Sequence, residues 1–527
     1  MPDDRWYDLA ERPWVPVRFR ASLTPDETAE LAALAPGTTP GQAARHGLRT
    51  VLTAAHLIES LECPNPAAES ALTRVLIALA ARVTGLDREI SDDGTPWAEH
   101  RWSILETGRF TPAAITTYLD THHDRLYLYH PDTPWMQDPR LRAECTGSSG
   151  IGRLSMTLPS GNNHLWWPLP KDGSGSPLPA EDAALDLLVW RYYGPSGMAA
   201  NRQHGTMPKA TKTTVAGPMR CTISWFPAGQ SLFESLTISI PAPDTWPTTP
   251  GPDLAPWETP ELPNPLLPKA PTGPVSLLTA RHAHAVLLQP DTDDTHATDS
   301  WVTWAWQGDI PNALDPYLIH RDQGGPVRAN SSRAAWRDLD ALLLKTRPGV
   351  TSTASRPPVL NAINDLPMDV ADRLRLRSYG IHQDKQDTNT AWTQSVTPPV
   401  LGHLEERDPD GAAAISAARA QAEAVASGLG RALRQAWASY ASGSSTCPWT
   451  ETATTEYWTE SEAEFWAVVT AAGADRPRPR FQAIATTIYD RTTAEASHTA
   501  RGMSAIETAR ATMLRPPRKT AKKTKAP

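Results

Sequence analysis

The residues best suited to chemistry lie between Tyr129 and Pro168. The stretch opens with YHPDTPWMQDPRL (Tyr129 to Leu141), passes through the Gly/Ser-rich GSSGIG, and closes with LPSGNNHLWWP (Leu158 to Pro168). It reads as an aromatic and proline clamp, a flexible basic loop, and a glycine turn beside two asparagines. Turn chemistry of this kind presents backbone N–H groups and short amides at a surface. Arg140, Arg142 and Arg153 flank the glycine-rich loop, and Arg202, Lys209, Lys212 and Arg220 form a second basic set. These side chains suit phosphate contacts, which carry no sequence information. Residue type alone fits an ordinary solvated loop equally well. Gly161 with Asn162 and Asn163 could approach a minor groove closely or form a plain turn.

Signals for catalysis are poorer. GxxxxGK[ST], GxGxxG and HExxH are all missing from the sequence. His122, His123 and Asp124 could open a metal-dependent phosphohydrolase site, but no further ligands stand at matched positions. His282 and His284 alternate along an expected strand and could share a metal with a third ligand; the plainer reading is an exposed or edge face. Gly147 to Gly150 (GSSG) is not a GxSxG elbow, having no strand–turn–helix context. Cys63, Cys145, Cys221 and Cys447 are far apart and form no CxxC, which argues against a zinc knuckle or a disulfide framework. The expectation is therefore no catalytic residue, no metal and no cofactor.

These residues need elements to hold them. The 527 residues allow two to four domains and ample core. Residues 5–19 read as a short strand, with Pro13 and Pro16 pointing to a sheet edge. Ser22 to Ala35 carries a helix-start signature. Apolar residues at helical spacing predict one helix within 41–62 and a second over Leu72 to Val83. Ile104 to His130 reads as a helix leading into a strand, and Ala180 to Gly194 as a helix capped by Gly194. Residues 195–218 read as a loop, and 219–226 and 231–240 as two strands of a hairpin. Residues 241–274 are dense in proline, an extended linker or wrapping arm. Residues 275–290 and 300–308 read as β-rich, and 333–345 as a short helix. Helices at about 411–441, 452–472, 477–497 and 499–514 predict a four-helix bundle, and 515–527 a basic disordered tail. The fold class is α+β: a mixed α/β N-terminal domain over 1–400, then the bundle over 401–514.

Charge bounds the partners. Lys+Arg is 50 against Asp+Glu 58, a formal charge of −8. A free-standing DNA-binding protein is usually basic. An acidic chain with basic patches fits a subunit that borrows charge from its partners, or a protein that never meets nucleic acid. The N-terminus lacks a basic n-region followed by an apolar h-region, and no apolar run approaches membrane-spanning length. A cytoplasmic location is expected, with no membrane contact.

Several segments, taken in order, resemble a known family. LAERPWVPV, HPDTPWMQDP, the stretch from Ala313 to Leu343, and SAIETARATMLRP in the last predicted helix resemble the CasA family, the large subunits of type I-E CRISPR Cascade surveillance complexes. The resemblance covers nearly the whole chain. It implies a non-enzymatic subunit that recognises a protospacer-adjacent motif (PAM) in double-stranded DNA, helps open the duplex for R-loop formation with the guide, and recruits a helicase-nuclease. Its implied partners are the other Cascade subunits, the CRISPR guide RNA, target DNA and that effector. By position, LPSGNN matches the family's glycine loop, giving Ser160, Gly161 and Asn162. SYGIHQDK matches its wedge, giving His382 and Gln383. The loop from Arg140 to Thr157 corresponds to the family's long loop near the guide handle. The family's lysine finger would fall in QPDTDDTHATDS (Gln289 to Ser300), which has no lysine; either another residue (His296, Lys209 or Lys212) takes the role, or the subunit accepts a different motif. The rival reading is an assembly scaffold that pairs protein with protein and does not touch DNA.

Overall fold

The computed structural model describes residues 5–155, 176–321, 325–330, 333–345, 354–383, 389–441, 446–471 and 476–513. The chain divides into two compact units. The first comprises Met1–Ser331 with Thr353–Val396, the second Ser332–Ser352 with Thr397–Pro527. The division is thus not a single cut, because the chain visits the second unit briefly before it returns.

In the first unit, β1 (Val15–Phe19) pairs on one side with β2 (Ala43–His46) and on the other with β3 (Ile58–Leu61), both antiparallel. β1 is therefore central, not an edge as its prolines suggested. Pro16 has no N–H to donate, but its carbonyl accepts from the Glu62 N–H at 2.9 Å. The ladder needs only that group from it. Between β1 and β2, α1 (Pro25–Leu34) starts from a reciprocal cap. The Thr24 hydroxyl accepts from the Glu27 N–H, and the Glu27 carboxylate accepts from the Thr24 N–H. The single helix expected within 41–62 is instead β2, a short α2 (Leu48–Thr53) and β3.

The first unit is built around α3 (Pro66–Thr84). The Asn65 side chain caps its first turn, and Gly85, in the left-handed region at φ 73, ends it. Nearly every residue of α3 is buried, including Glu69 and Arg74. α4 (Trp97–Thr107) and α5 (Pro112–Thr121) follow, and 122–130 holds a 3-10 turn and an isolated bridge from Tyr127 to Asp8 where a strand was expected. Two one-turn helices, α6 (Leu141–Glu144) and α7 (Ile151–Leu154), bracket the Gly/Ser loop. β4 (Leu178–Pro179) leads into α8 (Ala180–Tyr193), which matches its expected span. The expected loop at 195–218 contains a hairpin, β5 (Gly197–Arg202) with β6 (Thr211–Thr214).

β7 (Ile223–Ala228) is followed by a helix, α9 (Leu232–Ile238), where a second strand was predicted. The Ser231 hydroxyl accepts from the Glu234 N–H at 3.2 Å, and this cap overrides the β-branched run. The start of 275–290 is likewise helical. In α10 (Pro274–Thr279) the Asp253 carboxylate accepts from the Val275 and Ser276 N–H groups. β8 (His284–Pro290) and β9 (His296–Trp304) form a hairpin, with β4 on the far side of β9. β10 (His320–Arg321), β11 (Gly325–Pro326) and β12 (Ala354–Ser355) make a small sheet. α11 (Leu339–Leu343) belongs to the second unit, and α12 (Met368–Ala371) to the first. β13 (Arg375–Gln383) lies between β7 and β14 (Asn389–Val396).

The second unit carries the four long C-terminal helices: α13 (Pro409–Tyr440), α14 (Trp449–Thr470), α15 (Phe481–Thr493) and α16 (Ala500–Met513). Their apolar faces meet, with Ile415, Leu429, Phe465, Ile488 and Ile506 buried. Trp336, just before α11, stacks on Phe465 at 4.4 Å between ring centroids and meets Trp458 edge-on. The fold is mixed α and β with a helical C-terminal region.

Candidate nucleic-acid interface

The hairpin β13–β14 carries the sequence-predicted wedge. Its register runs from Arg377 opposite Val396 to His382 opposite Ala391, with an irregularity before Gln383. A buried carboxylate of α3 holds one face of the hairpin. Glu69 accepts from Arg377 (3.0 Å), from the Tyr379 hydroxyl (2.6 Å) and from Gln394 (3.1 Å). Burial raises the Glu69 carboxyl above the usual range, and these donors oppose the rise. At the end of β13, His382 is exposed, whereas Gln383 is only 7% exposed. The Cys221 thiol donates to the Gln383 carbonyl at 3.6 Å and to its side-chain Oε1 at 3.8 Å. Cys221 reaches this position with φ 59, in the left-handed region.

The basic candidates separate by environment. Arg202 was expected to reach a phosphate, but it has no exposed surface. Its guanidinium donates to Glu144 and Asp138, both at 2.7 Å, and to the Trp304 carbonyl, and it lies over the Trp304 ring. That makes it a neutralised core cation, since a buried charge needs such partners. Arg140 forks onto Asp138 at 2.8 and 2.9 Å and reaches the Pro263 carbonyl. Burial alone would raise the Asp138 carboxyl; Arg140 and Arg202 together hold it below the usual range. Arg142 is exposed, donating to Gln289 and resting over Trp301. Arg153 lies over Trp190. Lys209, in the β5–β6 connection, and Lys212, on β6, are exposed and make no ion pair among the described residues. The Gly/Ser loop is tied to β9: Ser149 donates its N–H to Ser300, and Gly150 donates its N–H to Asp299.

Ser160, Gly161 and Asn162 lie outside the described residues. The hairpin between β8 and β9, where a lysine finger was sought, is acidic and internally bonded. Asp291 accepts from Thr295 and His296, and Asp294 from the Trp6 N–H. His123 pairs with Asp8 at 2.9 Å, and His122 packs against Tyr118. His282 and His284 are enclosed, not displayed on an edge. Burial holds both below the usual histidine range, His284 at about 4. No group of three metal-ligating side chains occurs among the described residues, where all four cysteines are free and no helix is long and apolar enough to cross a membrane.

The family model for CRISPR-associated protein Cse1 matches residues 8–502. This chain belongs to the Cse1 family. A CasA/Cse1 protein of Thermus thermophilus is 27% identical over 256 residues, an alignment covering 49% of this chain and 43% of that relative. Solved structures match over nearly the full length. One chain of a CRISPR RNA-guided surveillance complex is 34% identical, with a TM-score of 0.82 over 97% of this chain and 99% of that one. Thermobifida fusca Cse1 shares the fold at 19% identity, with a TM-score of 0.73 over 96% of this chain and 97% of that one.

Within this Cse1 fold, two features escaped the sequence reading. The Glu69 clamp joins residues 308 positions apart or more, and the Cys221 contact joins residues 162 apart. Neither has a local signature.

Proposed function

We propose that the chain is the large, non-catalytic subunit of a CRISPR RNA-guided surveillance complex of the Cascade type. In this reading it recognises a PAM in double-stranded DNA, helps open the duplex, and recruits a helicase-nuclease. The observation that carries the proposal is the full-length likeness, 34% identical with a TM-score of 0.82, to a chain of such a complex. The wedge role goes to Gln383 with His382, at the end of β13. The glycine-loop role goes to Ser160, Gly161 and Asn162. A glycine without a side chain lets backbone approach the minor groove, whose degenerate acceptor pattern tolerates several motifs. Exposed Lys209, Lys212 and Arg142, with Arg153, are the phosphate or guide contacts. Arg140 joins them only by giving up its fork on Asp138, and Arg202 is withdrawn. Guide pairing supplies the rest of the sequence reading.

Reconstitution tests the assignment. Purified chain mixed with the remaining guide-loaded subunits is expected to co-migrate as one complex in size exclusion; separate elution contradicts the proposal.

The scaffold reading has one observation in its favour: Arg202 and Arg140 are already neutralised inside the fold. Lys209→Ala with Lys212→Ala separates the two. A DNA-reading subunit loses affinity and shows a shallower salt dependence, by roughly one unit per phosphate contact removed. A pure scaffold keeps both unchanged.

A further inference from the structure

The first unit contains a cavity of about 950 Å³, to which Arg140 alone contributes among the described candidate residues. Its lining comes from the proline-rich arm, the turn at 133–140 and β8. That volume lies at the upper end of small-molecule sites.

The lining is cationic. Arg125, Arg140, Arg191, Arg281 and Lys269 face only Asp138 and Glu261 as carboxylates. Asp138 is already committed to Arg140 and Arg202.

Arg191 is the decisive residue. It is 4% exposed, and its guanidinium donates to the Met136 and Thr279 carbonyls, both uncharged, and lies 3.1 Å from His282 Nδ1, which itself stands 2.8 Å from the Ala280 carbonyl. Its Nε has no hydrogen-bond partner among the described residues. No carboxylate pairs with it among the described residues, and burial pulls it down to about 10. Arg281 is also short of charge. Its nearest carboxylate, Asp315, is 3.7 Å away and already binds Arg74 at 2.8 and 3.2 Å. A buried guanidinium without a counter-ion is costly. An anion in the cavity that both residues line would relieve that cost.

The remaining wall is apolar and aromatic. Trp257 donates its indole N–H to the Tyr118 hydroxyl, and Trp306 donates its own to the His282 carbonyl. With both N–H groups used inside the protein, the half-buried Trp306 has ring surface to offer a ligand, whereas Trp257 is 3% exposed and backs the wall. Prolines of the arm and Met136 complete the wall.

We propose that this cavity binds a small ligand joining an anionic group to a planar apolar body, of the nucleoside monophosphate class. The guanidinium groups take the phosphate, Arg bidentately, and the rings take the base. Lys269, exposed at the cavity, adds charge where the ligand enters.

The test is calorimetric titration of the full chain with adenosine monophosphate, inorganic phosphate and adenosine in parallel. The nucleotide is expected to bind saturably, at least about tenfold more tightly than either part alone. Lys269→Glu, a surface change that leaves the core intact, is expected to weaken it by about tenfold. Arg191→Gln, checked for folding by circular dichroism, should abolish it. No saturable binding, phosphate binding as tightly as the nucleotide, or unchanged affinity in Lys269→Glu would each overturn the proposal. None of these results bears on assembly with guide-loaded subunits.

Discussion

Gln383 lies against the Cys221 thiol, and a side chain that splits a base pair has to leave that contact. A thiol is a weak donor, so that one contact costs little to break beside the few kcal/mol of unstacking that a wedge must supply. Gln383→Ala is expected to slow target opening by about tenfold or more while complex assembly stays intact. Strand separation followed with a fluorescent base analogue measures this, and an unchanged opening rate contradicts the wedge role. Asp186, buried in α8, offers a test of the core. Burial, helped by the Asp182 charge and opposed by Ser155, raises its carboxyl to about 7. The folded chain therefore holds a proton that the unfolded chain releases above about pH 4. This site contributes stability at low pH that is lost as pH rises through 7. Asp186→Asn is expected to raise Tm at pH 8, with the gain shrinking toward pH 4; a gain that does not vary with pH contradicts the assignment. Residue type pointed to His382 and Gln383 through a resemblance, but it could not separate Arg202 from a surface cation. The carboxylates that enclose Arg202 are 58 and 64 positions away.

Among elements, periodicity was most informative where helices are long. α3, α8 and the four C-terminal helices show apolar spacing over several turns; all but α3, which starts at Pro66 and not at Leu72, stand close to their expected spans. α9 and α10 were misread because one has seven residues and the other six. Their β-branched composition favours strands, and what decides them is a cap: Ser231 locally, and Asp253 from 22 positions away. The 41–62 run failed differently. At Gly47, the N-cap between β2 and α2, a Cβ would lie 2.5 Å from the Ala10 carbonyl oxygen, so the close backbone of Ala10 and Glu11 admits only glycine there. In the second unit, Trp336 fills the space beside Phe465 and Trp458, and Arg337 lies over Trp458 while pairing with Glu423. Trp336→Ala is expected to destabilise that unit by about 3–5 kcal/mol. Urea denaturation monitored by far-ultraviolet circular dichroism measures it, and a loss below about 1 kcal/mol would show that Trp336 is not part of that core.

At the level of the whole molecule, the formal charge is −8, and among the candidate phosphate contacts Arg140 and Arg202 are already neutralised by carboxylates. That balance fits a subunit whose complex supplies most of the charge, because phosphate contacts dominate affinity while groove contacts select. The family was legible from segments spread along the chain; the excursion of Ser332–Ser352 into the second unit carries no local signature. The most direct test of the central claim is a gel shift with the guide-loaded complex, with and without this chain, on duplexes that differ only in the base pairs flanking the target. The account predicts binding that requires both the chain and particular flanking pairs, with mismatched flanks weaker by about 1–3 kcal/mol per pair. Equal binding with the chain omitted, or equal binding to every flank, would contradict it.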